Sequence, residues 1–366
     1  MKALFLSMAM FGACCTAATS AMADDRGNSD SDKPLSVAVF GDWPYNQNLL
    51  DNAPLLINSV NSDRDVSLVI HVGDIHSGSM ACTSAAVLPP ISTSNPGWNQ
   101  EIYYQFQQFN DPVVYTPGDN EWTDCHKSKE KSSGYPLNEL ASVRSLFFAK
   151  PGHTLGMNEK IVSTQASKFD PAYPADAQFA ENVMWNSSGV VFVTVNMPGS
   201  NNDTTPWSGS FANPGAQMQE VSERTDADIR WLQAAFDQAR DTHAKAVVIV
   251  QQADMWDPEA LASGELGNYT HYVQKLADLS VQFGRPVLLL NGDSHLYETD
   301  QPLADPTSPT GMIYGTQAVP NLTRITVQGS TNAPAEWLKL TIDPHKHAVF
   351  SWQNIPYCID PLSSCQ

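Results

Sequence analysis

Residues 67–76 have the sequence SLVIHVGDIH, in which a short apolar run ends in a glycine–aspartate pair. An apolar run of this length is typical of a β-strand that is covered on both faces. The pair that follows is typical of a turn, because glycine tolerates positive φ and aspartate hydrogen-bonds its own backbone. The segment therefore predicts a buried strand whose carboxyl end carries Asp74 to the edge of a sheet.

The same arrangement occurs three more times in the chain. Apolar runs end in Gly41-Asp42, in Gly118-Asp119 and in Gly292-Asp293. A single pair of this kind predicts only a turn. In an open α/β sheet, however, the loops after parallel strands open at one edge, where ligands collect. Four carboxylates at that edge repel one another unless a cation lies among them. Together the four pairs therefore predict a metal site.

Around these motifs, β-branched runs alternate with longer segments of helical period, which predicts a layered α/β core. The clearest helical segment is Ala227–Ala239, with Thr225 and Asp228 as its predicted N-terminal cap. Residues 150–188 and 198–222 are rich in Pro, Gly, Asn and Ser, and predict surface insertions. The predicted strands are Leu35–Phe40, Ser67–Val72, Pro112–Tyr115, Val190–Val195, Ala246–Val250 and Val287–Leu290, with a β-rich finish from Leu322 to Trp352. The predicted helices are Asn48–Ser59, Asn99–Phe109, Leu137–Phe148, Ala227–Ala239 and Tyr269–Phe283.

The N-terminal segment is typical of an export signal. Lys2 precedes an apolar run from Ala3 to Ala13, and Ala21-Met22-Ala23 has the small-x-small form of a cleavage site. The run is too short to span a bilayer, which takes about 20 residues. The alternatives are a buried N-terminal helix and a lipid anchor on Cys14. We therefore expect a signal peptide at 1–23, a disordered polar leader at 24–33 and one folded domain at 34–366, exported to a periplasmic or extracellular location.

Composition limits the partners of this domain. The 366 residues carry 20 Lys and Arg against 39 Asp and Glu, a net charge of −19. A nucleic-acid-binding protein needs a basic surface, and attraction to anionic lipid needs positive charge as well. The charge therefore argues against nucleic-acid and membrane-surface partners. No stretch after the N-terminal segment is long and apolar enough to span a membrane, and the sequence gives no indication of oligomeric state.

Four cysteines remain after the expected cleavage: Cys82, Cys125, Cys358 and Cys365. An even number in an oxidising compartment indicates two disulfides, for which three connectivities are possible. We favour Cys82–Cys125 and Cys358–Cys365, because each pair lies in polar loop sequence outside the predicted strands.

From Ser36 to Trp352, the order and spacing of the motifs resemble those of the calcineurin-like metallophosphoesterases. The motifs of that family run Asp-x-His, Gly-Asp, Gly-Asn-His-Asp/Glu, a lone His after a strand, and Gly-His-x-His. The resemblance implies two packed mixed β-sheets flanked by helices, with a centre of divalent metal ions. It also implies hydrolysis of a small phosphate ester by a metal-activated water.

Residue by residue, the resemblance is partial. Asp42, Asp74 and His295 match ligands of the family, and Asp74 matches the aspartate that bridges two ions. Pro44 and Asp293 stand where the family has ligand histidines. Other departures are Asp119 for the ligand Asn, Asn120 for the catalytic His, and Gln251 (or Gln252) for the lone His.

The resulting ligand set is rich in oxygen, which favours Mg²⁺, Ca²⁺ or Mn²⁺ over Zn²⁺ or Fe. Asp42, Asp74 and His295 are expected to hold one ion, and a second ion would use Asp74 with three further residues. The expected metal ligands are Asp42, Asp74, Asp119, Gln251, Asp293 and His295.

Two residues are candidates for catalysis. Asn120 is expected to hydrogen-bond a phosphoryl oxygen, although an amide cannot donate a proton as imidazolium does. His76 is a candidate for the missing nitrogen ligand, and the alternative is a solvent-facing loop histidine. His71 lies within a strand and is expected in the core. Two functions stay open: a metal-dependent phosphoesterase, or an inactive relative that binds a metal or ligand as a recognition protein.

Overall fold

The structure is a computed structural model that describes residues 33–82 and 97–366. The expected signal peptide and, apart from Lys33, the expected leader lie outside the described residues.

Two mixed β-sheets form the centre of the described part of the chain. The strands β1 to β12 are Leu35–Phe40, Val66–His71, Val113–Tyr115, Ser163–Thr164, Val183–Ser187, Val190–Thr194, Ala246–Val250, Val287–Asn291, Glu298–Asp300, Leu322–Thr326, Ala335–Ile342 and Phe350–Cys358. One sheet has the order β12-β11-β1-β2-β3, and the other has the order β4-β5-β6-β7-β8-β10-β9. Strands β1, β2 and β3 run parallel, as do β6, β7, β8 and β10, while the outer strands pair antiparallel.

Helices cover the outer faces of both sheets. The α-helices are Gln47–Asp51, Ala53–Ser62, Trp98–Phe106, Pro136–Phe147, Gln165–Lys168, Pro214–Asp241, Pro258–Ser263, Thr270–Phe283 and Pro309–Tyr314. Short 3-10 helices lie at Thr123–His126, Ser128–Glu130, Pro174–Gln178, Gly209–Phe211 and Glu265–Tyr269. The turn Gly199–Asp203 is different, because residues 200–203 all have positive φ.

Strand alternation divides the core into layers. Val37 and Val39 of β1 pack between the sheets with Val248 and Val250 of β7. The intervening residues of β1 face helices such as Ala53–Ser62, and those of β7 face the helices of the seven-stranded sheet. Because successive side chains of a strand point to opposite faces, the central strands of each sheet, such as β1 and β7, are buried on both sides. The result is the helix–sheet–sheet–helix sandwich that the family resemblance implies.

The strand predictions hold closely, but two other predictions are wrong. The long helix begins at Pro214 and is capped by Asn213 rather than by Thr225 and Asp228. Residues 150–188 are not purely a surface insertion, because β4 and β5 extend the seven-stranded sheet. The predicted insertion 198–222 likewise contains the first turns of the long helix.

The cysteines pair as predicted. Cys82 is bonded to Cys125, and Cys358, the last residue of β12, is bonded to Cys365. The first disulfide ties the loop after β2 to the loop after β3. Within the ranges that the structure describes, no helix has both the length and the apolar character needed to cross a membrane.

Candidate metal centre

The carboxyl ends of the parallel strands bring the four aspartates of the Gly-Asp pairs together. Asp42 follows β1, Asp74 follows β2, Asp119 follows β3, and Asp293 and His295 follow β8. Asp42, Asp74, Asp293 and His295 all have positive φ, between 47° and 77°. Residues with side chains rarely adopt this conformation, and such strain is concentrated at functional sites.

The glycines of the pairs allow the carboxylates to approach closely. A Cβ at Gly118 would overlap with the carboxylate of Asp74, and one at Gly292 would lie 2.5 Å from Oδ2 of Asp42. Each glycine therefore makes room for an aspartate of a different motif.

Tyr45 is the residue of this site that sequence reasoning missed. Its hydroxyl group lies 3.0 Å from Oδ1 of Asp42, 2.8 Å from Oδ2 of Asp74 and 3.1 Å from Nε2 of His295. His295 is also 3.4 Å from Oδ1 of Asp42. Its ring packs edge-on against Tyr45. The only signal in the sequence is that Tyr45 follows Asp42 by three residues, just beyond Pro44.

Gln252, and not the predicted Gln251, faces the site. Its Nε2 donates to Oδ1 of Asp119 at 3.0 Å and to Oδ1 of Asp293 at 3.2 Å. Its Oε1 accepts from the backbone N–H of Gly199, which fixes the orientation of the amide. The side chain of Gln251 points elsewhere and donates to the carbonyl of Ala253. An alternation argument would have found this, because Gln252 continues the face of Val250 that lies between the sheets.

Burial and the repulsion between neighbouring carboxylates raise the pKa of three aspartates at the site. Burial, with the charges of Asp119 and Glu121, raises the pKa of Asp74. Burial also raises the pKa of Asp119 and of Asp293. For His295, burial alone would lower the pKa, but the hydrogen bond and charge of Asp42 outweigh it and raise the pKa. A cation among these groups would reverse the cost of burying their charge.

The two candidate catalytic residues differ in position. Asn120 lies at the site, where its Nδ2 is 2.9 Å from Oδ2 of Asp74 and 3.1 Å from the Tyr45 hydroxyl. Its backbone N–H donates to Oδ1 of Asp74. The alternative of a solvent-facing His76 is wrong, because the residue is buried and its Nδ1 contacts the carbonyl of Ser77. Its role as a nitrogen ligand stays a prediction, and the group formed by Asp42, Asp74 and His295 does not include it. Burial lowers the pKa of His76 to about 4, so its ring is neutral.

Neighbouring residues support the loops. His71 is in the core as predicted, with Nε2 3.0 Å from the carbonyl of Trp43. Glu121 points inward and accepts from the backbone N–H of Ile75 and from Tyr115. Burial raises the pKa of Glu121 to about 7. Trp43 is buried, as is Trp122, so neither is available to stack on a substrate.

One group of donors fits a hard divalent cation. Oδ2 of Asp42 is buried and has no hydrogen-bond partner among the described residues. Ligand atoms of Asp42, Asp74 and His295 lie within 4.8 Å of one another, which suits bonds of about 2.0–2.5 Å to one ion. Asp119 and Asp293, in contrast, are joined by the amide nitrogen of Gln252, which cannot bind a cation.

Comparison with known proteins agrees with the fold. Residues 35–205 match the family model of the calcineurin-like phosphoesterases. Among solved structures, the chain is similar to GAP50, the anchor in the inner membrane complex of Plasmodium, with 11% identity and a TM-score of 0.43. That alignment covers 88% of this chain and 89% of the other. No curated protein sequence matches the chain. The match over residues 35–205 therefore makes this part of the chain similar to the calcineurin-like phosphoesterases, and the two mixed sheets with flanking helices are consistent with the fold of that family.

Proposed function

We propose that the protein is an exported, metal-dependent phosphoesterase with one resident divalent ion. The observation that carries this proposal is the group of Asp42, Asp74 and His295, whose ligand atoms lie within 4.8 Å of one another. Oδ2 of Asp42 is buried without a hydrogen-bond donor among the described residues. The two disulfides support export, because such bonds persist in oxidising compartments.

The ion would be held by Asp42, Asp74 and His295, with the Tyr45 oxygen beside them. A divalent ion in such a site supplies charge to the phosphoryl oxygens and lowers the pKa of a water. Asn120 fixes Asp74 through two hydrogen bonds, one from its side chain and one from its backbone. Gln252 holds Asp119 and Asp293 at the opposite side of the site. This arrangement favours one ion over two.

Among the residues that the structure describes, no histidine stands in the place of the family's catalytic histidine, which would protonate a departing alcohol. Asn120 is an amide, and His295 is engaged with Asp42 and Tyr45. A substrate with a good leaving group needs no such acid. The proposed substrate is therefore an activated phosphate ester of small size.

The second candidate function is that of an inactive relative that binds a ligand or one metal. The observation that favours it is the Tyr45 hydroxyl, which lies between the carboxylates that would hold the ion. On this alternative, the hydroxyl group takes the place of the cation.

The test is metal analysis of purified protein together with hydrolysis of 4-nitrophenyl phosphate in Mn²⁺, Mg²⁺, Ca²⁺ or Zn²⁺. We expect one metal equivalent and turnover in the wild type. Asp74→Asn keeps the size of the side chain but removes its charge, so it should abolish turnover and lower metal content while the circular dichroism spectrum stays unchanged. A wild type that binds metal but hydrolyses nothing would decide for the recognition protein.

A further inference from the structure

A pair of lysines lies beside the candidate metal centre, in the segment after Asp119: Lys127 lies between two short 3-10 helices, and Lys129 lies on the second. Both reach one buried carboxylate: Lys127 Nζ is 2.6 Å from Oδ1 of Asp124, and Lys129 Nζ is 2.9 Å from Oδ2. The Asp124 side chain is fully buried, whereas that of Lys129 is 52% exposed. One anion therefore has two cationic partners, and the half-exposed one, Lys129, lies at the rim of the site.

The two lysines have different surroundings. Lys127 is mostly buried and also donates to the Ser200 hydroxyl at 2.7 Å. That hydroxyl lies 2.6 Å from Oδ2 of Asp119 and 2.6 Å from Oδ1 of Asp124. Lys127 is thus enclosed by a hydrogen-bonded network, and Lys129 is the lysine with room to contact a further group.

Lys129 lies next to the residue that stands in place of the catalytic histidine of the family. A Cβ at Gly78 would lie 3.0 Å from Nζ of Lys129 and 2.6 Å from Oδ1 of Asn120. The two polar atoms therefore flank Gly78, and a side chain at this position would push them apart. Nδ2 of Asn120 donates to the expected metal ligand Asp74, so Asn120 lies between Lys129 and the expected metal ligands.

The neighbouring acid does not cancel this charge. Glu130 is buried beside Cys82 and Cys125. Burial, with the charges of Asp124 and Asp119, raises the pKa of Glu130 to about 10, so the carboxyl is uncharged at pH 7. Glu130 therefore does not compete with a substrate anion for Lys129.

We propose that Lys129 binds the leaving group of the substrate, and that this leaving group is itself a phosphate, so that the substrate class is a phosphoanhydride. The inference rests on the proposed phosphoesterase function. Water adds its oxygen to the transferred phosphorus while the bridging P–O bond breaks with its electron pair on the leaving phosphate, and one proton of the water passes to solvent. A phosphate leaves as an anion without the help of a general acid, and an ammonium group stabilises the departing charge.

The experiment compares inorganic pyrophosphate, 4-nitrophenyl phosphate and glycerol phosphate as substrates of the metal-loaded protein. We expect kcat/KM to be highest for pyrophosphate and lowest for the alkyl ester. Lys129→Gln should lower kcat/KM for pyrophosphate roughly 10- to 100-fold, the loss of one charge-assisted hydrogen bond, and affect nitrophenyl phosphate by less than about 3-fold. Lys129→Arg keeps the charge and should retain the preference. Lys131→Gln is the matched control, since Lys131 is exposed on the next turn.

Equal losses for pyrophosphate and nitrophenyl phosphate in Lys129→Gln would overturn the inference, as would an alkyl ester cleaved as fast as pyrophosphate. A second measurement separates this failure from failure of the proposed function. The affinity for methylenediphosphonate, which cannot be hydrolysed, is measured by calorimetry in Mn²⁺. If the wild type hydrolyses nothing, a roughly 10-fold or larger loss of this affinity in Lys129→Gln alone still supports the lysine site, and equal affinities exclude it.

Discussion

Replacing Gln252 with glutamate tests whether the pair Asp119 and Asp293 is held by an amide or by an ion. In the wild type, one amide nitrogen donates to both carboxylates, at 3.0 and 3.2 Å. Hydrogen bonds to charged groups contribute about 1.5–3 kcal/mol each, so Gln252→Glu should lower the free energy of unfolding by about 3–6 kcal/mol in the presence of a chelator. A third buried carboxylate adds repulsion to this loss. We expect Tm to fall by on the order of 10 °C.

The same variant brings three carboxylates together and removes the amide donor from Oδ1 of Asp119 and of Asp293, so it should create a new cation site. At 100 times its Kd, an ion adds about 2.7 kcal/mol to stability, so Mn²⁺ should raise Tm more in Gln252→Glu than in the wild type. The assay is thermal unfolding with EDTA or Mn²⁺, combined with metal analysis. We expect one equivalent in the wild type and two in the variant. Gln252→Met is the control, because it loses both hydrogen bonds without gaining a charge. Two equivalents bound by the wild type would refute the reasoning.

Two further predictions concern residues outside the ligand set. Burial lowers the pKa of His71 to about 4, whereas in the unfolded chain this histidine takes up a proton near pH 6.5. The free energy of unfolding should therefore fall by up to about 3 kcal/mol as the pH is lowered from 6.5 to 4. His71→Asn should therefore be destabilising at pH 7 and should leave the metal content unchanged. In urea titrations, the difference in free energy of unfolding between wild type and variant should shrink toward pH 4. A difference that does not depend on pH would contradict a neutral core histidine. Removing the disulfide with Cys82→Ala and Cys125→Ala should lower the free energy of unfolding by about 4 kcal/mol, the chain-entropy value for a separation of 43 residues. The disulfide Cys358–Cys365 closes a separation of only 7 residues, so Cys358→Ala with Cys365→Ala should lower the free energy of unfolding by less. A larger loss for this second pair in urea unfolding would contradict the chain-entropy explanation.

The strands were predictable because each is an almost uninterrupted apolar run. Strands β1 and β7 have the bounds that the sequence predicts, and β2 differs by one residue at each end. The start of the long helix was not predictable in this way, because its first turns pack through polar side chains. Arg224 is buried against Glu220 and Asn202, and Gln217 donates to the carbonyl of Asp203. Such contacts leave no apolar period in the sequence.

Within the candidate site, the backbone positions were easier to predict than the side-chain contacts. Gly-Asp pairs after parallel strands identify Asp42 and Asp74 without any knowledge of the loops. Tyr45 and Ser200 enter the site through loop geometry alone, the second on a turn of consecutive left-handed residues. A loop of this kind has no periodicity from which the direction of a side chain follows.

The contacts of the Tyr45 hydroxyl favour an ion among Asp42, Asp74 and His295 over a site without one. The group has a single proton, yet oxygens of both Asp42 and Asp74 lie within 3.0 Å of it, so it satisfies only one of the two by donation. The hydroxyl oxygen accepts a hydrogen bond from Nδ2 of Asn120. Oδ2 of Asp42 has no donor among the described residues. A buried anionic oxygen without a partner costs several kcal/mol. A divalent ion removes that cost and leaves the Tyr45 oxygen as a neighbour, whereas the hydroxyl group on its own leaves the carboxylates only partly paired.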